Sequence, residues 1–184
     1  MKQIISVVFI LFSLSLSSQK FKNCFSGSFG LINPKFRVQF EKPIKNNGSF
    51  GMNLNYYLIN WKGPVFEPFV RIYRVKKGNK EGVFGQFKLS YGNLTTINFE
   101  KYDYIIFKRR WSTFGAGIAG GYKFLINNNF VIESLVGLRF LKTPTYRFAS
   151  GNLYNYSSAT LEAIEWQLKT GSLIDFQLKL GYQF

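Results

Sequence analysis

The segment from Ser172 to Phe184 alternates apolar and polar residues almost without interruption, and this pattern constrains the fold more than any other feature. Ile174, Phe176, Leu178, Leu180, Tyr182 and Phe184 share one face, and Asp175, Gln177, Lys179, Gly181 and Gln183 share the other. Successive side chains of a β-strand point to opposite sides, so the segment reads as a strand with one greasy face and one polar face. A tilted strand needs roughly 9–11 residues to cross a bilayer, and this segment is long enough.

The other end of the chain has the layout of a secretory signal peptide. Met1 and Lys2 make a short charged start, and Ile4 to Leu16 is apolar but for its serines. Ser15, Ser17 and Ser18 then precede polar Gln19 and Lys20. The apolar stretch is shorter than the roughly 20 residues of a spanning helix. Residues 1–18 are therefore expected to be a leader cleaved after Ser17 or Ser18, and 19–184 the mature domain. Cys24 is the single cysteine, which excludes an internal disulfide. Lys22 and Asn23 before it do not suit lipid attachment.

Composition fits the same picture. Hydrophobic residues are 46% of the chain, yet beyond the leader they are spread over short alternating runs, as in transmembrane barrels. Aromatics reach 19%, with 21 Phe and 11 Tyr, enough for the aromatic girdles such barrels carry at both interfaces. The formal net charge of +15 implies attraction to a polyanion. For an exported protein that partner is expected to be lipopolysaccharide phosphate, not nucleic acid.

Eight strand candidates follow one another. They are Cys24–Ile32, Lys35–Lys42, Ser49–Asn60, Val65–Val75, Val83–Gly92, Trp111–Phe124, Phe130–Phe140 and the closing segment. Asn33-Pro34, Lys45 to Gly48, Trp61 to Pro64, Lys76 to Lys80 and Asn127 to Asn129 read as turns or breaks. Asn93 to Arg110 and Leu141 to Gly171 read as two long connections. With the first strand running outward, both long connections emerge on one side and both chain ends on the other. Outer-membrane barrels have this asymmetry of short periplasmic turns and long outer loops. The expected fold class is all-β, an eight-stranded antiparallel up-and-down transmembrane β-barrel.

The polar face carries both signs of charge: Arg37, Arg71, Lys88, Lys123, Arg139 and Lys179 with Glu41, Glu67, Glu133 and Asp175. A soluble lipocalin-type barrel would turn these outward and pack the aromatic face inward. Eight strands enclose little room, and large aromatics occur in nearly every strand. The charges are therefore expected inside, paired across neighbouring strands because an unpaired buried charge is costly.

Phe36 to Tyr57, Trp61-Lys62-Gly63, Tyr91-Gly92-Asn93, Gly120-Gly121-Tyr122-Lys123-Phe124 and Leu180-Gly181-Tyr182-Gln183-Phe184 resemble small outer-membrane β-barrel proteins of Bacteroidetes, a family of unknown function. The resemblance implies location in the outer membrane of a Gram-negative bacterium. It also implies that assembly machinery reads the strand ending in Phe184. It brings no catalytic residues.

The chain has no histidine, so the commonest general base and metal ligand is missing. No catalytic, cofactor or metal site is expected, and the protein is not expected to be an enzyme. The glycines Gly115, Gly117, Gly120 and Gly121 precede no phosphate-binding helix and are expected to leave room inside the barrel. Lys101, Lys108, Arg109 and Arg110 form a basic cluster in the first long connection, a candidate lipopolysaccharide contact. Residues 152–171 are expected to extend the last strand outward, displaying Tyr154, Tyr156 and Trp166. The expected function is that of a monomeric, side-chain-filled barrel with a structural or loop-displaying role. The alternative is a narrow channel or small-ligand carrier.

Overall fold

The computed structural model describes residues 22–30, 35–44, 47–58, 61–74, 81–99, 106–127, 129–142 and 173–184. Residues 1–18, with the expected leader, and 143–172, with the expected outward extension of the last strand, lie outside them. The described chain forms eight strands: β1 (Cys24–Gly30), β2 (Lys35–Pro43), β3 (Gly48–Tyr57), β4 (Trp61–Tyr73), β5 (Gly82–Phe99), β6 (Ile106–Ile126), β7 (Phe130–Leu141) and β8 (Ile174–Gln183). Each pairs antiparallel with its sequence neighbours, and β1 pairs with β8 to close the barrel. Closure leaves no sheet edge, so the backbone groups along the strands are satisfied within the wall.

The register makes the strands tilt. A lateral row starting at Cys24 passes through Glu41, Gly51, Phe69, Lys88, Gly117 and Arg139. It reaches β8 beside Leu173, where the Arg139 N–H donates to the Leu173 carbonyl. The β8 partner of Cys24 is instead Gln183, at the other end of that strand. This stagger is the shear that a closed eight-stranded sheet needs.

Three elements reach beyond the bounds their sequence pattern suggests. β5 runs to Phe99 and β6 starts at Ile106, paired throughout. Most of the span from Asn93 to Arg110 is thus a β-ribbon, not an irregular connection. Its faces mix apolar and polar residues, which hides the period of two, but Thr95, Thr96, Ile97, Ile106 and Phe107 favour extended backbone. Trp61 to Pro64 likewise lies inside β4 instead of breaking the chain. Tyr57 pairs with Gly63 and Trp61 with Thr96, and partners on both sides override the local turn chemistry. Gly63 has φ 143°, and a β-carbon there would run into the Asn93 carbonyl, so the position requires glycine.

Inside and outside are chemically inverted relative to a water-soluble barrel. Phe176, Leu178 and Leu180 of β8 are 69%, 58% and 65% exposed, whereas Asp175, Gln177 and Lys179 are at most 3% exposed. Every strand repeats this. Outward aromatics gather toward the short turns (Tyr122, Phe124, Phe130, Tyr182) and toward the long connections (Phe36, Tyr56, Tyr91, Phe114, Phe140). Val38, Met52, Leu54, Val70, Ile118, Val136 and Leu178 lie between, with Phe87, the partner of Val70 and Ile118, among them. Cross-strand pairs such as Phe29 with Phe36, 5.0 Å between ring centres, and Phe130 with Tyr182, 5.6 Å, tie neighbours together on this face.

Inward glycines make the interior packing possible. A β-carbon on Gly121 would meet the Phe84 ring and the Ser134 carbonyl, and one on Gly117 would meet Lys88 Cε at 3.1 Å and the Leu138 carbonyl. Outward Gly85 has nothing within 4 Å. Gly121→Val is therefore expected to abolish folding or cost more than about 3 kcal/mol. Gly85→Val is expected to stay within about 0.5 kcal/mol of the parent. Urea unfolding of the refolded barrel measures both; equal effects would mean the interior is not filled as described.

Candidate functional site

Alternation delivers the site. Each strand sends every second residue inward, and on β2, β4, β5, β6, β7 and β8 those positions include charges. Arg37, Glu41, Glu67, Arg71, Lys88, Lys123, Glu133, Arg139, Asp175 and Lys179 are all buried, none more than 4% exposed. Two clusters emerge.

The first lies toward the short turns and centres on Arg71. Its Nη1 and Nη2 each donate to a Glu133 oxygen at 2.7 Å, a bidentate pair from β4 to β7. Nη1 also reaches Glu41 Oε2 at 3.0 Å, and Nε donates to Gln86 at 2.7 Å. Glu41 accepts in addition from Lys123 at 3.1 Å, Tyr73 at 2.6 Å and Ser49 at 2.5 Å. Lys179 donates to Glu133 at 2.9 Å. The Arg71 guanidinium also stacks near the Phe69 and Phe84 rings, 4.6 and 4.3 Å from their centres, which replaces water on its flat faces.

The second lies toward the long connections and centres on Glu67 and Asp175. Arg139 donates to Glu67 at 2.6 Å and to the Tyr57 hydroxyl at 3.0 Å. Lys88 donates to Asp175 and lies 3.8 Å from Glu67. Arg37 donates to Asn55 and lies 3.5 Å from Asp175. Gln177 also donates to Asp175, at 2.5 Å. Apolar residues cap this cluster: Tyr57, Val65, Leu94 and Leu141 pack together. A second apolar group, Tyr73, Phe84 and Leu135 with Ala119, packs within the first cluster's half.

Most of these pairs reach across the lumen. Arg71–Glu133, Arg71–Glu41, Lys123–Glu41, Arg139–Glu67 and Lys88–Asp175 join strands that are not neighbours. Pairing between neighbouring strands, the simpler expectation, accounts only for Lys179–Glu133 and Lys88–Glu67. The reason is geometric: in a narrow barrel long side chains meet near the axis, so Lys123 bonds Glu41 across the lumen although Glu133 is its direct partner on β7. Tyr73 and Gln86 share the alternating inner face of Arg71 and Lys88, whereas Lys35, Ser49 and Tyr57 join the interior without having been singled out from sequence. Lys35 lies two residues before Arg37, so alternation was the available signal; its ammonium rests 5.1 Å from the centre of the Tyr57 ring.

The basic cluster of the first long connection is divided. Lys101 lies outside the described residues. Lys108 and Arg109 belong to β6, opposite Ile97 and Thr96, and Arg110 is exposed on the same strand. These three are strand residues, not loop residues. Tyr154, Tyr156 and Trp166 lie outside the described residues. Among the described residues no group of three His, Cys, Asp or Glu side chains is placed to hold a metal ion. No protein-family model, curated protein or solved structure matches this chain.

What this arrangement does chemically is brace the barrel with charge pairs across the lumen. Removing one member leaves a buried charge without its partner, which costs about 3–5 kcal/mol. Glu133→Gln is expected to destabilise the barrel by that amount, because Arg71 and Lys179 lose a shared partner. Adding Lys179→Met removes the surplus cation while Arg71 keeps Glu41, and more than half of the loss is expected to return. Denaturant unfolding of the single and double variants measures this. A Glu133→Gln effect below about 1 kcal/mol would mean the network does not bear on stability.

Proposed function

We propose that this chain is an integral outer-membrane protein whose barrel spans the bilayer and whose interior is sealed by side chains. The observation that carries the reading is the inversion of its two faces. Large apolar side chains cover the outside of all eight strands, and soluble proteins rarely expose apolar surface on this scale. Two outward aromatic zones with a mainly aliphatic zone between them, Phe87 excepted, fit the two interfaces and the core of a bilayer. The export leader read from the sequence agrees with that destination, and the class is that of small barrels of the envelope.

A structural or loop-displaying role follows from the filled interior. Ions passing through would have to displace the pairs around Arg71 and around Glu67, and the Tyr57, Val65, Leu94 and Leu141 cap as well. The reading favours a wall-anchored scaffold over a channel. Planar-bilayer recording is expected to give no steady conductance; stable ion-selective openings would favour the channel reading.

The inverted faces give a decisive substitution. Leu178 stands on the outside near the middle of β8 and is 58% exposed. In water an arginine there would cost almost nothing. At a bilayer midplane it costs roughly 2–4 kcal/mol. Leu178→Arg is expected to lose about that much stability in reversible folding into lipid vesicles, and the parent is expected to fractionate with the outer membrane and to run faster on gels unless boiled. A neutral Leu178→Arg, or recovery in the soluble periplasmic fraction, would end the membrane reading.

The up-and-down order sets the sidedness. The connections after β5 and β7 leave the barrel at the same end. Protease sites inserted within 100–105 or 143–171 are expected to be cut on intact cells, and one inserted at Asn127 protected. The reverse pattern would invert the barrel.

A further inference from the structure

The outer wall changes character where it meets the long connections. On β5, β6 and β7 the outward positions that follow Tyr91, Phe114 and Phe140 in that direction are exposed Asn93, Ser112 and Lys142. On β4 the exposed Lys62 lies beyond Phe66 and Pro64. Lys62 pairs with Thr95, and Thr95 with Arg110, so one lateral row of the sheet holds both cations. Strands two apart are separated by roughly 10 Å, a gap that a lysine and an arginine can close around one phosphate group. Two residues nearer the aromatic zone, Ser112 donates to its cross-strand partner Asn93 at 2.7 Å. Lys142 Nζ sits 5.1 Å from the centre of the Phe114 ring, which holds its charge directly against the aromatic zone.

The sign of the charge here is selective. Among the described residues, Glu41, Glu67, Glu133 and Asp175 turn into the barrel, and Glu81 lies at the short-turn end near the Leu125 N–H. None of the described carboxylates faces outward at this rim; Glu100, Asp103, Glu162 and Glu165 fall outside the described residues. A rim meant only for water has no need of one sign. Cations set against an apolar belt suit a lipid surface whose headgroups are anionic.

We propose that Lys62, Arg110 and Lys142, with Asn93 and Ser112 between them, form a binding site on the outer wall for the phosphate groups of an anionic outer-leaflet lipid. The proposal rests on the membrane-spanning reading above. It moves the lipopolysaccharide contact from the connection residue Lys101 onto the wall itself, with Arg110 shared by both assignments. Arg110 offers a planar fork for two phosphate oxygens. Lys62 and Lys142 add charge on either side of it, and the Asn93 amide supplies a neutral donor.

The test uses the refolded full-length chain in zwitterionic detergent, titrated with bis-phosphorylated lipid A and with the same lipid stripped of phosphate. Binding is read by native mass spectrometry. K62Q/R110Q/K142Q is expected to bind lipid A at least about tenfold more weakly than the parent. K22Q/R74Q, which removes two exposed cations at the opposite rim, is expected to bind like the parent, and the stripped lipid is expected to bind all three alike and weakly. Unchanged affinity in K62Q/R110Q/K142Q overturns the proposal. An equal loss in K22Q/R74Q also overturns it, because attraction would then be general charge. Displacement of lipid A by millimolar inorganic phosphate would assign the site to a free anion instead. Insertion into uncharged phosphatidylcholine vesicles reports the membrane reading separately. Failure to insert sinks that reading, whereas normal insertion with equal lipid A binding sinks only the lipid site.

Discussion

Glu133 receives both arms of the Arg71 guanidinium and the ammonium of Lys179, and much of the barrel depends on charges being matched in this way. The sheet closes around a space too narrow for bulk water, so the ten charges of the two clusters find their counter-charges in one another, while Lys35 rests against the Tyr57 ring. That requirement reaches into the backbone. Gly117 and Gly121 give up their side chains so that Lys88 and Phe84 fit. It also sets which strands communicate: β4 is held to β7 and β2 by Arg71, and β6 to β2 by Lys123. The wall is closed by backbone hydrogen bonds, and the same wall is braced across its diameter by ion pairs.

The outside obeys a different rule. With the polar groups turned to the interior, the strands present Phe, Leu, Val, Ile and Tyr outward, an arrangement that suits the proposed apolar surround. The proposed membrane location and the filled lumen are thus two consequences of one partition. Where the apolar wall ends toward the long connections, the described outward charges are Lys62, Arg110 and Lys142. The partition therefore also leaves a cationic rim, which is what the proposed lipid site uses.

Some of this was legible in the residue order and some was not. In β8 and in β2 each residue's face could be read directly, because one side carries large apolar residues and the other the interior charges. In the β5–β6 ribbon beyond Gly92 that contrast disappears. Asn93 to Arg110 looked like a connection even though its backbone is paired to Phe99 and Ile106. Trp61 to Pro64 misled in the same sense, since Gly-Pro chemistry suggests a break and two flanking strands override it. The interior charges were legible as a set, because alternation reports the face. Their pairing was not, because alternation says nothing about which side chains meet at the axis.

By itself, the sequence determined the strand count, the antiparallel order and the face of each side chain in the membrane-length segments. Period-two alternation and turn residues are local properties, and they act before any tertiary contact forms. Only the tertiary structure decided the stagger of the strands, the cross-lumen partners of Arg71, Glu67 and Lys88, and the lateral row that brings Lys62 level with Arg110. Those depend on closing β1 against β8. Closure is a global condition: it fixes every register at once and places residues far apart in the chain within bonding distance.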